Sequence, residues 1–358
     1  MDRQTPPDGD TPRTQGTGSH GGSDGLLEGL PPEIRQAIIQ PRDPAPPPEG
    51  ARGVPEHVGG RPPSYPPRPL ALPAVREWDP LAALVPDTVV DGAELGPLTV
   101  RAVSVRGDAH RWRGECRQDA LGVAQLGPAS GAGPAGGAGT DGLLLLAVAD
   151  GVGSAPLSHR GAHTTVGCVG RQLDALAEDL TAALRAEDAG RFLDLADRAV
   201  AAAAAELRAS ADGPPSAYAT TFRALLVPLD PAVRVRGFLA VGDGGLFLLR
   251  DRGWWNLEHP GTANAGVIDT GTAALPDAYE HVRAHLLEPS EPGDVLVLCT
   301  DGFSGPLAGD KDFREHVAEQ WGHTAGVPQP SDFLWHAQTR LKSYDDDRTV
   351  ICLWEGIQ

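Results

Sequence analysis

The sequence predicts an α+β fold built on antiparallel sheets, and three observations carry that expectation. Strand-like apolar runs come in blocks and helix-like runs in separate blocks, whereas a parallel sheet would need β-α alternation. Several runs, among them Leu143 to Ala149, Val295 to Cys299 and Thr349 to Leu353, are apolar along their whole length, as strands covered on both faces must be. These same runs meet carboxylates at their ends: Asp150-Gly151 after the first, Asp301-Gly302 after the second and Asp345-Asp346-Asp347 just before the third.

Composition bounds the rest. The 358 residues suffice for one large domain or two ordinary ones, and 41% hydrophobic content allows a sizeable core. Half of the 34 prolines fall before residue 76, a stretch thin in apolar residues and nearly neutral in charge. Residues 1–76 therefore read as a disordered Pro/Gly-rich arm, with one helical turn or two at residues 31–40, serving as a linker or a docking peptide. The formal net charge of −18 argues against nucleic acid and anionic membrane as partners, which call for Lys/Arg stripes. Cys116, Cys168, Cys299 and Cys352 show no close pairing and read as thiols in a reducing compartment. No stretch approaches the ~18 apolar residues of a membrane span, so the expectation is a soluble, cytoplasmic protein.

The folded part is expected to begin near Glu77. Leu98 to Val105 and Leu121 to Leu126 read as strands, and the Gly/Ala-rich run from Gly127 to Gly142 reads as a loop tip leading into the strand at Leu143. Ala162, Val166, Val169, Leu173, Leu176, Leu180 and Leu184 recur at helical steps and predict one long amphipathic helix. A second helix is predicted over residues 191–208. Strands follow at 219–227, 233–241 and 245–249, then a short polar piece at Trp254-Trp255. Residues 256–290 read as a loop-rich insertion with a short helix near Tyr279 to Leu287. Helices at 313–320 and 331–341 precede the closing strand.

The carboxylate motifs carry the chemistry. A strand that delivers an Asp to its end holds a hard oxygen ligand rigidly, and several converging on one point suit Mg²⁺ or Mn²⁺. The glycine after Asp150 and after Asp301 lets backbone approach without a Cβ clash. Alone, Asp-Gly is also a common turn, three adjacent acids are commonly a solvated surface, and Asp119 could be a polar loop residue. Val241-Gly242-Asp243-Gly244-Gly245 is accounted for by a hairpin turn, with a weaker metal ligand at Asp243 as the alternative. The histidines show no convincing zinc spacing, and no phosphate-cradling Gly-Lys motif occurs.

In order and spacing, Arg117-Gln118-Asp119, Val148-Ala149-Asp150-Gly151-Val152-Gly153, Ala219-Thr220-Thr221, Val241-Gly242-Asp243, Leu298-Cys299-Thr300-Asp301-Gly302 and Asp346-Asp347-Arg348-Thr349-Val350 resemble the motif series of the metal-dependent Ser/Thr protein phosphatases, the protein phosphatase 2C family, and within it the bacterial branch. The resemblance spans roughly residues 98–354 and implies a protein phosphatase 2C-like domain over 77–358. The fold it implies is an α-β-β-α sandwich, two packed antiparallel sheets flanked by helix pairs. It further implies two Mn²⁺ or Mg²⁺ ions, with a third in some members. By position, Asp150 would bridge the two ions and Gly151 would offer its carbonyl. Asp301 and Asp346 would hold the first ion, Asp119 would orient water on the second, and Asp243 with Asp301 would form the looser third site. A metal-bridging hydroxide would attack phosphorus in line, hydrolysing phosphoserine or phosphothreonine in a protein substrate.

This chain departs from the family at four places. Gly114 stands where a phosphate-binding Arg is frequent, leaving Arg113 and Arg117 as candidates for substrate binding. Val152 replaces a His proposed as general acid, with His110 and His159 the alternatives. Gly244-Gly245 replaces Ser-Arg, and Asp347 replaces Asn. The expected activity is that of a metal-dependent phosphoprotein phosphatase opposing a Ser/Thr kinase or serving a signalling partner. The departures support a second expectation, a catalytically weak or inactive phosphatase-like regulatory module that binds a partner.

Overall fold

A computed structural model describes residues 57–66, 71–76, 79, 82–127, 142–258 and 273–356, all within one unit running from Val54 to Gln358. The chain before residue 57, including the expected turn at 31–40, and the loop tip at 128–141 lie outside the described residues.

Two antiparallel sheets form the centre. The six-stranded sheet runs in the order β1 (Thr88–Leu95), β2 (Leu98–Val105), β11 (Arg348–Glu355), β10 (Val295–Cys299), β7 (Gly245–Arg250) and β8 (Gly253–Asn256). The five-stranded sheet runs β3 (Ala120–Leu126), β4 (Leu143–Ala149), β5 (Phe222–Pro228), β6 (Gly237–Val241) and β9 (Arg283–Leu286). The fully apolar runs are explained by their alternation. Leu144, Leu146 and Val148 of β4 meet Leu225, Leu298, Ile351 and Leu353 between the two sheets. Leu143, Leu145, Ala147 and Ala149 of the same strand face the other way, into a core shared with helices. A strand with both faces covered favours apolar side chains along its whole length.

Helices cover each outer face. α2 (Ser158–Asp174), α3 (Ala177–Arg185) and α4 (Ala189–Ser210) pack on the five-stranded sheet, where Ala196, Ala199, Ala203 and Ala204 of α4 allow close approach. α5 (Asp301–Gly309), α6 (Lys311–Trp321) and α7 (Pro330–Ala337) pack on the six-stranded sheet around Phe303, Phe313, Trp321, Phe333 and Trp354. Phe303 stacks on Trp321 at 5.5 Å between ring centroids, and the Trp354 indole donates to Trp321 O at 3.0 Å. This aromatic cluster fixes α5, whose first residue is Asp301. The result is the α-β-β-α sandwich expected.

Several elements differ in detail from the sequence reading. The single helix expected from Ala162 to Leu184 is two, broken at Ala175–Leu176, where Leu176 N–H turns back to Leu173 O. Trp254-Trp255 belong to a strand, β8. The helix expected near Tyr279 to Leu287 is a single 3-10 turn followed by β9. The strand expected from Val233 begins only at Gly237. The short helix α1 (Asp108–Arg113) and the edge strand β1 add to the expected set.

Packed chain also extends N-terminal to Glu77. Val58 N–H donates to Arg340 O at 3.1 Å, Lys342 Nζ to Ser64 Oγ at 2.9 Å, and the Tyr65 ring lies 5.9 Å from that of Trp112. Asp79, 1% exposed, accepts from Arg160 Nε at 3.0 Å and lies 2.9 Å from His159 Nε2 at the start of α2.

Candidate functional site

Strand register gathers the motifs at one end of the sandwich. β3 and β4 pair Ala120 with Ala149, so Asp119, just before one, and Asp150, just after the other, are neighbours. The Asp150 backbone is pinned by the two residues before β5: Thr221 N–H donates to Asp150 O at 2.8 Å, Thr220 Oγ1 to the same oxygen at 2.7 Å, and Asp150 N–H to Thr221 Oγ1 at 3.2 Å. In the other sheet β10 and β11 pair Cys299 with Val350. Thr300 N–H continues the ladder to Thr349 O, and Thr349 N–H donates to Thr300 Oγ1 at 3.1 Å. Asp301 therefore follows β10 where Asp346 and Asp347 precede β11. Hydrogen bonds join the ends of the two sheets here: Thr300 Oγ1 donates to Asp119 Oδ2 at 2.8 Å, and Gln118 N–H donates to Asp347 Oδ2 at 2.5 Å.

Two glycines mark how closely these segments approach. A Cβ at Gly302 would sit 1.9 Å from Asp347 O and 3.5 Å from the Asp346 Cβ. A Cβ at Gly151 would lie 2.8 Å from the Ser158 Cβ and 3.0 Å from Gln118 O. Gly302 thus brings the motif after β10 against the one before β11, and Gly151 brings the motif after β4 against the one before β3.

The electrostatics follow from crowding. Asp119 is 1% exposed; burial, with the charge of Asp347 beside it, pushes its carboxyl up to about 8, against the hydrogen bonds from Thr349 and Thr300. Burial, then the charges of Asp119 and Asp301 and a hydrogen bond shared with Asp301, hold Asp150 well above the usual carboxylate range. Asp301 and Asp346 stand at the exposed edge of the group. Asp243, in the β6–β7 turn, is near enough for its charge to act on Asp301. Carboxylates this close need protons or a cation between them. Their hard oxygens, at graded depth from Asp119 to the surface, fit Mg²⁺ or Mn²⁺ and suit softer metals poorly.

The basic candidates separate. Arg113 is half-exposed, pairs with Glu115 at 3.0 Å and lines a cleft of about 310 Å³ with His110, Gln118, Gly153, Asp345 and Asp346. Arg117 corrects the expectation of a substrate ligand. It is 1% exposed, and its guanidinium donates to Pro86 O, Ser104 Oγ and Asp119 O. It fixes the backbone of Asp119 from inside the fold and does not line the cleft. His159 is buried against Asp79. His110 is buried too, with Nδ1 3.0 Å from Asp347 Oδ1 and Nε2 3.8 Å from Asp346 Oδ1. Among the described residues, His110, Asp346 and Asp347 present ligand atoms within 4.8 Å of one another. The Nδ1 bond to Asp347 commits the imidazole to that carboxylate. Thr220 and Thr300 stand in the sequence motifs and His110 is an alternative general acid, but the partners they take, Asp150 O, Asp119 and Asp347, are not legible there because each depends on which strand ends meet.

The sequence profile described as protein phosphatase 2C matches residues 106–342. The chain belongs to the protein phosphatase 2C family. Its closing motif, at Asp346, lies just beyond the matched range. No curated protein matches the chain. Among solved structures, the chain is similar to the catalytic domain of the serine/threonine protein phosphatase PstP in complex with two manganese ions, at 22% identity, covering 73% of this chain and 99% of that one with a TM-score of 0.46. It is similar to the S. agalactiae serine/threonine phosphatase at 15% identity, 72% and 99% coverage and a TM-score of 0.47. RsbX in complex with magnesium matches at 16% identity, 74% and 98% coverage and a TM-score of 0.42. As a protein phosphatase 2C family member, the chain is a metal-dependent Ser/Thr protein phosphatase. Among the described residues, no helix is long and apolar enough to cross a membrane.

Proposed function

We propose that this chain hydrolyses phosphoserine and phosphothreonine in proteins at a centre formed by Asp119, Asp150, Gly151, Asp301 and Asp346. The interlock of the four motif segments carries the reading. Gly151 lies against Gln118, Gly302 against Asp347, and Thr300 bonds Asp119 across the sheets. Separate stretches of chain thereby present carboxylates to one small volume.

Each residue has a part set by its position. Asp150, central and in contact with Asp301, would be shared by two ions, with the Gly151 carbonyl beside it. Asp301 and Asp346 would hold one ion from the exposed side. Asp119, deepest and fixed by Thr300 and Arg117, would orient water at the other. Asp243 would serve a looser third site with Asp301. Mn²⁺ or Mg²⁺, when bound, supplies the Lewis acidity that activates water and offsets charge on the phosphoryl oxygens. Arg113 lines the cleft and would steer the phosphorylated side chain. The substrates would be products of a Ser/Thr kinase, the chain would act as a signalling switch, and its place would be the cytoplasm.

The test is phosphate release from a phosphothreonine peptide with and without Mn²⁺. Release should require the metal, stop with chelator, and fall on the order of a hundredfold or more in Asp150→Asn. Release that survives chelation or Asp150→Asn would refute the reading.

A further inference from the structure

Asp347 stands where the family usually has Asn, and the structure gives this carboxylate an occupation of its own. It is 3% exposed and accepts three hydrogen bonds. Oδ1 takes Gly107 N–H at 2.7 Å and His110 Nδ1 at 3.0 Å, and Oδ2 takes Gln118 N–H at 2.5 Å. A carboxylate only accepts, so His110 is the donor in that bond. The three donors come from the end of β2, from α1 and from the residue before Asp119. The acceptor is the residue after Asp346.

We infer that Asp347 is a positioning residue: a carboxylate clip that sets the spacing between Asp119 and Asp346, with His110 bracing it from the third side. The inference rests on the metal-centre reading above. Two further contacts converge on the same junction. Ala109 N–H donates to Asp345 O at 3.0 Å, and a Cβ on Gly107 would lie 2.4 Å from both Asp345 O and Asp346 C, so the β2–α1 turn is pressed on the backbone that carries Asp346.

Hydrogen-bond chemistry explains why Asn fits this set of donors less well than Asp. The backbone N–H groups of Gly107 and Gln118 meet opposite oxygens of one side chain. Asn offers one oxygen and one NH₂, so either orientation points NH₂ at a backbone N–H. One buried donor then loses its acceptor and faces another donor. A change of tautomer at His110 does not relieve this, because both backbone donors are fixed. The clip acts on ligand geometry and predicts a metal-dependent signature.

The experiment compares wild type, Asp347→Asn, His110→Ala and the double variant in the full chain. Mn²⁺ binding is read by calorimetry, and kcat and KM for a phosphothreonine peptide are read across a Mn²⁺ titration. In Asp347→Asn the Mn²⁺ dissociation constant and half-saturating Mn²⁺ should rise about tenfold or more, the range for residues that orient metal ligands, while peptide KM at saturating Mn²⁺ moves little. His110→Ala should shift Mn²⁺ half-saturation less, and the double variant should be no worse than Asp347→Asn, because the histidine acts through that carboxylate. A folded Asp347→Asn with wild-type Mn²⁺ affinity overturns the inference even if its Tm falls, since that is a merely structural role. Should Asp347→Asn not fold, His110→Ala decides, and unchanged Mn²⁺ half-saturation there overturns it. Wild type that binds Mn²⁺ yet releases no phosphate refutes the phosphatase reading alone and leaves the clip to be judged by calorimetry. Wild type that binds no Mn²⁺ overturns both.

Discussion

Asp119 is the residue on which most of the surrounding structure is spent. Thr300 reaches it from the other sheet, Thr349 bonds its side chain, and buried Arg117 holds its carbonyl. Thr300→Val removes the cross-sheet donor and also the acceptor of Thr349 N–H. Leaving such buried groups unpaired costs about 1–3 kcal/mol. The variant should show a lower urea midpoint together with weaker Mn²⁺ binding, and a Thr300→Val protein with wild-type values for both would show that the bond is idle. The candidate acids could be read from the chain because each Asp lies at or near an end of an apolar run, Asp150 and Asp301 with a glycine following. Arg117 was misread for a physical reason: adjacency to Asp119 in sequence says nothing about which side of the strand end a guanidinium takes. It turns inward, where carbonyls are the partners on offer.

At the scale of elements, the fully apolar strands were legible and the irregular pieces were not. β4, β10 and β11 declare themselves because both their faces are covered. α5 escaped because Gly302, Gly305, Pro306 and Gly309 spoil its helical pattern; its aromatic neighbours hold it as a helix regardless. β9 took on a helical look from apolar spacing that serves packing against α4. The aromatic cluster predicts a long-range effect. Trp321→Ala should cost about 3–5 kcal/mol of stability by cavity formation, and phosphatase activity should fall at temperatures where α5, and with it Asp301, loosens. Activity lost only at the global melting temperature would argue that α5 is fixed by other contacts. The chain before β1 was legible as Pro-rich, but its anchoring was not. Asp79 belongs to no motif in the sequence and is a buried partner of His159 and Arg160 in the fold. Asp79→Ala should destabilise the domain by about 1–3 kcal/mol in a urea titration, and no shift would mean that the segment adds nothing to stability.

Across the whole molecule, the fold brings together acids that repel one another without a cation. The Asp119 carboxyl has an ordinary value of 3.8 and sits at about 8 when folded. Protonation therefore favours the folded state, and the stability this group contributes is full below about pH 4 and lost as pH rises through about 8. The metal-free protein should show a Tm that falls between about pH 4 and about pH 8. Saturating Mn²⁺ should flatten or reverse that slope, because ligation favours the ionised carboxylates. Parallel Tm curves with and without metal would count against a metal role for the buried acid. Sequence order alone could not reveal this coupling, since Asp119 precedes a strand of one sheet and Asp347 a strand of the other, and they meet only once the sandwich closes.

The most direct measurement is anomalous scattering from crystals grown with Mn²⁺. Two peaks should lie within bonding distance of Asp150, one of them shared with Asp301 and Asp346 and the other on the side of Asp119. Peaks elsewhere on the protein with none at Asp150 would contradict the account.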